Sequence, residues 1–558
     1  MTSRSYKTEI SSVLLVLTLV LSQYCDALST LTPPRSYSIS KPIIQKYQRS
    51  VIDYDSPFVP ELELKTNASP VKEKQFQWEK QWWPVAVEEF TDLEKPHKMM
   101  LLGNDIVIWF DGENWRTFED SCPHRGVPLS EGRVEKNREL MCAYHAWTFN
   151  GEGECTSIPQ TPTDEKHERI RPKACVKSYP TQVKQGLIWV WGEKAAPGSD
   201  LAIQAAMKQP RLIEELTDPH FDGRIGEITY NFRDLPYGYD MFMENVLDPA
   251  HVVVSHHGIV GNRYNDTKPI NMVRTPSRSE TPVDEGGELQ SEFPEDQGFK
   301  YFVKAKGEEE NSNTESSNDF RPPCLNKITT EYANDAGKLI LALYCTPTKP
   351  GYSRHIGAQI LIKDKEGKKY PPGLGLFALP MPKWLLHITA SFFLHQDQVF
   401  LHHQERMLYS SSDYAFGNFE NNAALSSDPS KYSSLYFMPN THDRQISHFR
   451  QWIYKKAGGG VKWGKSALNM GMPPRLRSKE LFDVYHAHTE NCKVCKEASS
   501  NIKLIRNFAL GFGIVLMSVL KSLKMKVLSG TVLGAMSFVS HQLYKLFFKY
   551  EYTHQNNN

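Results

Sequence analysis

Hydrophobic and polar positions change rhythm along the chain, and each rhythm predicts an element. From Met99 to Phe118 short apolar runs alternate with turn residues at Gly103-Asn104-Asp105 and Asp111-Gly112-Glu113-Asn114, the pattern of strands joined as hairpins. Ordered structure is expected to begin just before them, at Trp78, Trp82, Trp83 and Pro84, and the run GLIWVWGE (186–193) would close a small β domain. Between Arg224 and Ile259 a strand-like piece leads into an apolar helix pattern at Met241 to Val246. Residues 338–346 and 354–363 read as strands of a second sheet, and 395–409 as a helix. The expected class is α+β: a β domain, then a domain of antiparallel sheet plus helices. Residues 277–320, rich in Glu, Asp, Ser and Asn, read as a solvated insertion.

Both ends of the chain carry a different pattern. Arg4 and Lys7 precede an apolar run, Val13 to Leu21, and Cys25-Asp26-Ala27 offers small residues for cleavage, so 1–27 reads as a signal peptide. From Leu28 to Ile52 there is no acidic residue, while Arg35, Lys41, Lys46 and Arg49 stand among Ser and Thr. Residues 28–75 therefore read as a transit-like segment and linker. A signal peptide followed by such a segment resembles the two-part address of algae whose plastid lies inside extra membranes. Near the C-terminus, Leu504 to Leu520 and Val527 to Leu543 are apolar runs separated by Lys521, Lys524 and Lys526. Their length predicts a membrane hairpin over 504–548, with Gly530 and Gly534 allowing close helix contact.

The 558-residue chain has a net charge of +1 and 40% hydrophobic residues, which gives no sign of nucleic-acid binding and fits an enzyme with large cores. Its nine cysteines are mostly scattered, which argues against a disulfide framework. Two of them stand with histidines: Cys122-x-His124, seventeen residues, then Cys142-x2-His145. Zinc fingers usually pair Cys with Cys and His with His, whereas here each loop supplies one of each. A Rieske [2Fe–2S] cluster needs that arrangement, two thiolates on one iron and two imidazoles on the other. A second set lies in MENVLDPAHVVVSHHG (243–258), where Asp248 and His251 would share a helix face and His256 or His257 follows. Two histidines and a carboxylate on one side of a ferrous ion leave positions open for O₂ and substrate. Nothing local identifies the carboxylate: by spacing, Asp397 and Glu405 are equal candidates.

The stretches QWWPVAV, CPHRGVPLSEGRV and CAYHAWTFNGEGECTSIPQTP resemble the pheophorbide a oxygenase family of plastid Rieske oxygenases, which also holds chlorophyllide and protochlorophyllide oxygenases and a Tic-associated Rieske protein. One departure is Ala146, where the family usually has Gly; a change of small residue for small is expected to leave the ligands unaffected. The resemblance implies a cluster held by Cys122, His124, Cys142 and His145. The family pattern Asn-x2-Asp-x2-His-x4-His selects Asn245, Asp248, His251 and His256, and HQDQVFLHHQER selects Asp397 as third iron ligand. It also implies that Asp248 joins an iron-bound His to a Rieske His of a neighbouring subunit, in a head-to-tail homotrimer. The substrate it implies is a chlorophyll-derived tetrapyrrole, oxygenated with O₂ and electrons from reduced ferredoxin at a plastid membrane, thylakoid or inner envelope. Other expected roles are oxygenation of chlorophyllide, protochlorophyllide or a phyllobilin, or a redox-sensing component of an envelope complex.

HAHTENCKVCKEA places Cys492 and Cys495 as a Cys-x2-Cys pair flanked by Lys493 and Lys496. A redox dithiol is expected, which the family resemblance makes a thioredoxin target; a small zinc site with His486 and His488, or two ordinary surface thiols, are the alternatives. The domain order expected is a Rieske domain at 76–195, a mononuclear-iron catalytic domain at 196–480, the Cys-x2-Cys segment at 481–503 and the transmembrane hairpin.

Overall fold

The computed structural model describes residues 76–162, 169–275, 298–305, 314–378, 381–410, 435–467 and 470–556. The signal peptide and transit-like segment expected before residue 76 lie outside them.

The N-terminal β domain is built from three small antiparallel sheets. Trp82–Val87 is wholly buried and pairs with Leu187–Trp191, which pairs in turn with Thr181–Lys184. Pro84 fits because this is an edge strand with a register shift at that point, so no ladder hydrogen bond needs its missing N–H. The free carbonyls of the edge are taken by the next domain: Thr346 donates to Pro84 and Arg354 to Val85. Trp78 and Trp83 stack beneath at 6.0 Å. The expected hairpins form His97–Leu101, Asn104–Phe110 and Trp115–Glu119. Four two- or three-residue strands between Arg133 and Ser157 make the third sheet.

A seven-stranded antiparallel sheet forms the second domain. Ile270–Thr275, Phe299–Ala305, Thr314–Arg321, Leu325–Tyr332, Lys338–Lys349 and Tyr352–Ile362 follow one another as a meander, and Ile225–Leu235 pairs with the last. This corrects the expectation of a solvated insertion over 277–320 where the range is described; residues 277–297 and 306–313 lie outside the described residues. Phe299–Ala305 and Thr314–Arg321 are inner strands, with Phe299 and Phe320 in the core. The polar residues that misled are paired inside the fold: Asn318 donates to the Val246 carbonyl, and Arg321 pairs with Asp319 at 2.8 Å. Burial of polar groups costs little once they are hydrogen-bonded.

Two helices carry the chemistry, α1 (Tyr239–Leu247) and α2 (Lys383–Ser410), and α2 is longer than the pattern suggested. Helix α1 stops because Asp248 precedes Pro249, which disfavours helical backbone; Asp248 is extended, at φ −97°, ψ 105°. The carbonyl of Val246, left without a helical donor, accepts from Asn318 and Asn326 of the sheet. At the C-terminus α3 (Lys493–Val519) and α4 (Leu523–Leu546) form a hairpin whose first helix is long and apolar enough to cross a membrane by length and composition. A Cβ added at Gly530 would meet Met517 and one at Gly513 would meet Leu533, whereas Gly534 faces open space. The close approach therefore uses one glycine from each helix rather than the pair on α4.

Candidate metal centres

The two Cys/His loops have the same backbone plan. In the first, the N–H of Cys122 donates to Val127 O and that of Gly126 to Cys122 O. In the second, Cys142 N–H donates to Trp147 O and Ala146 N–H to Cys142 O. The fifth residue of each loop is left-handed, Gly126 at φ 72° and Ala146 at φ 58°. Both cysteines are buried while His124 is exposed and His145 half-buried, with ring centres 4.6 Å apart; Trp147 stacks on His124. Burial, with Cys142 beside it, pushes the Cys122 thiol up to about 12. Such a thiol loses its proton to solvent at neutral pH only when a cation takes the sulfur, so the pair fits iron ligation.

The second set converges from two distant segments. Asp248, Pro249 and a short helical turn at Val252–Ser255 follow α1 and deliver His251 and His256; α2 delivers Asp397 from the opposite side. Asp397 Oδ2 lies 3.0 Å from His256 Nε2 and 3.6 Å from His251 Nε2. The three donor atoms lie within 4.8 Å of one another. His256 is fully buried and Asp397 is 5% exposed. Burial opposes ionisation of Asp397, but the two histidines that face it outweigh burial and lower its pKa. His256 Nε2 is buried with no hydrogen-bond partner, the kind of orphaned lone pair a cation satisfies. The donor set thus fits a ferrous ion.

Around this set the structure corrects one expectation and adds two residues. Asp248 and His251 do not share a helix face, since the helix has ended, yet Asp248 Oδ2 still reaches 3.6 Å from His251 Nδ1. His257 turns away and accepts from the Arg263 N–H, and Glu405 sits elsewhere, accepting from Gly238 N–H and pairing with Arg406. Asn245 lies 3.3 Å from His251 Nε2. Two neighbours had no sequence signal. Gln396 Oε1 accepts from His256 Nδ1 at 2.8 Å, and Phe393 stacks on the His256 ring at 3.7 Å. A cavity of about 590 Å³ beside Asp111, Arg138 and Gly151 belongs to the β domain and includes none of these residues.

Cys492 and Cys495 are fully buried, with no disulfide between them. His488 joins them, but His486 is exposed and paired with Asp483 at 2.6 Å, so it is no part of the group.

A Rieske domain followed by a mononuclear-iron domain defines the class: the chain is a Rieske non-haem iron oxygenase, with a [2Fe–2S] cluster and a mononuclear iron as cofactors, and enzymes of this class use O₂ and a reduced electron donor and form oligomers. Residues 81–180 match the Rieske [2Fe-2S] domain family and residues 320–413 the family described as pheophorbide a oxygenase. The chain is 30% identical to protochlorophyllide-dependent translocon component 52 of Arabidopsis thaliana, over 92% of this chain and 93% of that one. It is 31% identical to pheophorbide a oxygenase of Oryza sativa subsp. japonica (80% and 78%), and 29% identical to flavonoid 8-hydroxylase 2 of Ocimum basilicum (87% of each). All three relatives are named as chloroplastic. The chain belongs to the pheophorbide a oxygenase family of Rieske oxygenases.

Proposed function

We propose that the chain is a ferredoxin-dependent monooxygenase that inserts oxygen from O₂ into a chlorophyll-derived tetrapyrrole, most closely in the manner of a pheophorbide a oxygenase. The observation that carries the reading is the meeting of His251, His256 and Asp397 in one buried place, on a chain that also holds the two Cys/His loops. An electron carrier has no use for that second set, which weighs against the redox-sensing reading. Iron held by these three residues supplies coordination positions open to dioxygen.

The residues around it have separable tasks. Gln396 fixes His256 in the tautomer whose Nε2 carries the lone pair, and Phe393 holds the ring in plane. Asp248 Oδ2 lies 3.6 Å from the outer nitrogen of His251, which has no hydrogen-bond partner among the described residues, and in a head-to-tail trimer Asp248 would join that histidine to a Rieske histidine of a neighbour. The exposure of His124 and the open apolar side chains Val254, Val260 and Tyr264 beside the iron set support burial against another subunit. Asp248→Ala is expected to keep both metals and lose turnover; normal activity in that variant would remove the role. The outward faces of α3 and α4, with exposed Leu504, Phe508, Val519 and Val527, support insertion of the hairpin in a plastid membrane, where an apolar tetrapyrrole partitions.

The deciding experiment gives purified enzyme reduced ferredoxin, ¹⁸O₂ and a panel of pheophorbide a, chlorophyllide a, protochlorophyllide and a flavone. Labelled oxygen in a tetrapyrrole product supports the proposal. Label only in the flavone favours the second reading, a flavonoid hydroxylase, which the Ocimum relative suggests. No labelled product, with about three irons bound per chain, would refute both.

A further inference from the structure

Away from the iron set, four side chains from two distant parts of the chain meet in a closed pocket. They are His387 on α2, His488, and Cys492 and Cys495 at the start of α3. All four are buried, at 3%, 3%, 0% and 1% exposure, and their donor atoms lie within 4.8 Å of one another. His387 Nδ1 is 3.3 Å from Cys495 Sγ, 3.6 Å from Cys492 Sγ and 3.2 Å from His488 Nε2; His488 Nε2 is 3.2 Å from Cys495 Sγ.

The outer nitrogens decide what the inner ones can be. His387 Nε2 lies 3.1 Å from the Tyr230 carbonyl and His488 Nδ1 lies 2.7 Å from the Phe232 carbonyl. A carbonyl can only accept, so both outer nitrogens carry the protons. Both inner nitrogens are then lone pairs, aimed at each other across 3.2 Å with two sulfurs beside them. Two lone pairs that close repel, and a metal ion held between them and the two sulfurs removes the repulsion while satisfying all four donors at once. Locking an imidazole by a hydrogen bond from its far nitrogen is also how proteins orient metal-ligating histidines. A tetrahedral zinc with bonds of about 2.3 Å to sulfur and 2.0–2.1 Å to nitrogen sets its donors roughly 3.3–3.8 Å apart, close to the spacings here.

We propose that His387, His488, Cys492 and Cys495 form a structural zinc site. Two thiolates and two neutral imidazoles balance the charge of Zn²⁺, which lets the whole group stay out of water without an unpaired charge. Binding releases two thiol protons to solvent, and no electron is transferred. The site ties the root of the C-terminal hairpin to α2, ten residues ahead of Asp397 and so about 15 Å along the same helix axis. It also ties both to the strand Ile225–Leu235. Its four closed ligands mark it as a brace rather than a reaction centre. The inference stands apart from the choice of substrate.

The test uses the full-length chain purified without a metal-affinity tag. Elemental analysis is expected to give about one zinc per chain beside the iron. Chain produced with cobalt should show the visible absorption of tetrahedral cobalt–thiolate, which the iron set, lacking sulfur, cannot produce. Cys492→Ser and His387→Ala should lose zinc and that absorption while the Rieske EPR signal persists. Should these variants fail to fold, an organomercurial added to the wild type should release zinc as two further thiols react. A Cys492–Cys495 disulfide in the purified chain, or freely titrating thiols with no bound zinc, would overturn the proposal and favour the redox dithiol.

Discussion

Gln396→Leu isolates the contribution of one hydrogen bond to iron binding. His256 is fully buried and Gln396 is 2% exposed, and among the described residues the Nδ1 proton goes to Gln396 Oε1 at 2.8 Å. Leucine keeps much of the volume but offers no acceptor. The imidazole then has two options. It can leave Nδ1–H buried and unpaired, at a cost of about 1–3 kcal/mol. It can instead move the proton to Nε2, which points at Asp397 Oδ2 3.0 Å away and would hydrogen-bond there. Either option works against the metal, because the second removes the lone pair the ion needs. At about 1.4 kcal/mol per factor of ten, the loss is expected to be about 10–100-fold in ferrous affinity. The assay is anaerobic competition for Fe²⁺ against a chelator of known affinity, with the Rieske EPR spectrum as a control for folding. Gln396→Glu keeps an acceptor that cannot flip into a donor and should bind iron at least as well as wild type. The reasoning fails if the Leu variant, with an intact Rieske spectrum, holds ferrous iron as tightly as wild type, or if Glu weakens binding as much as Leu does.

Three further outcomes are expected. Ala146 occupies at φ 58° the loop position that Gly126 fills in the sister loop, so Ala146→Gly relieves left-handed strain of about 1–2 kcal/mol, partly offset by glycine's greater freedom when unfolded; a higher melting temperature of the holo chain checks it. Burial lifts the Glu405 carboxyl to about 7 despite Arg406 beside it. Since the folded value lies above the ordinary 4.5, stability from this group is full below pH 4.5 and declines as pH rises through 7, by about 3 kcal/mol, and Glu405→Gln should flatten melting temperature against pH over that window. Iron analysis should find about three atoms per chain, of which a mild chelator removes about one and leaves the Rieske spectrum unchanged.

The misreadings have physical causes. Pro249 stops α1 at Leu247, so counting helix positions from Asp248 to His251 fails although the two side chains still come within 3.6 Å. Residues 314–320 look like part of a solvated insertion because the pairing of Asn318, Ser316 and Asp319 with Val246, Thr330 and Arg321 is invisible in composition. Helix α2 buries His387, His395, Gln396, Asp397 and His402 among Ile388, Leu401 and Leu408, so polar residues break up the apolar stripe that would mark its full length. The same face conceals Gln396 and His387, whose partners lie 140 and about 100 residues away.

What the sequence determined by itself is local. The Cys122–His124 and Cys142–His145 loops are short, and their turn chemistry and ligand types are contiguous, so spacing alone specifies a mixed sulfur and imidazole cluster. The two hairpins of the β domain and the apolar C-terminal runs are local in the same sense. Spacing left open which acid joins His251 and His256, which only the family resemblance named, while the approach of His387 to Cys492 and Cys495 and the place of the polar strands were decided by tertiary structure alone. Packing α2 against the seven-stranded sheet and the root of the hairpin brings those donors within a few ångströms, and chain spacing cannot encode a contact that a fold closes across a hundred residues.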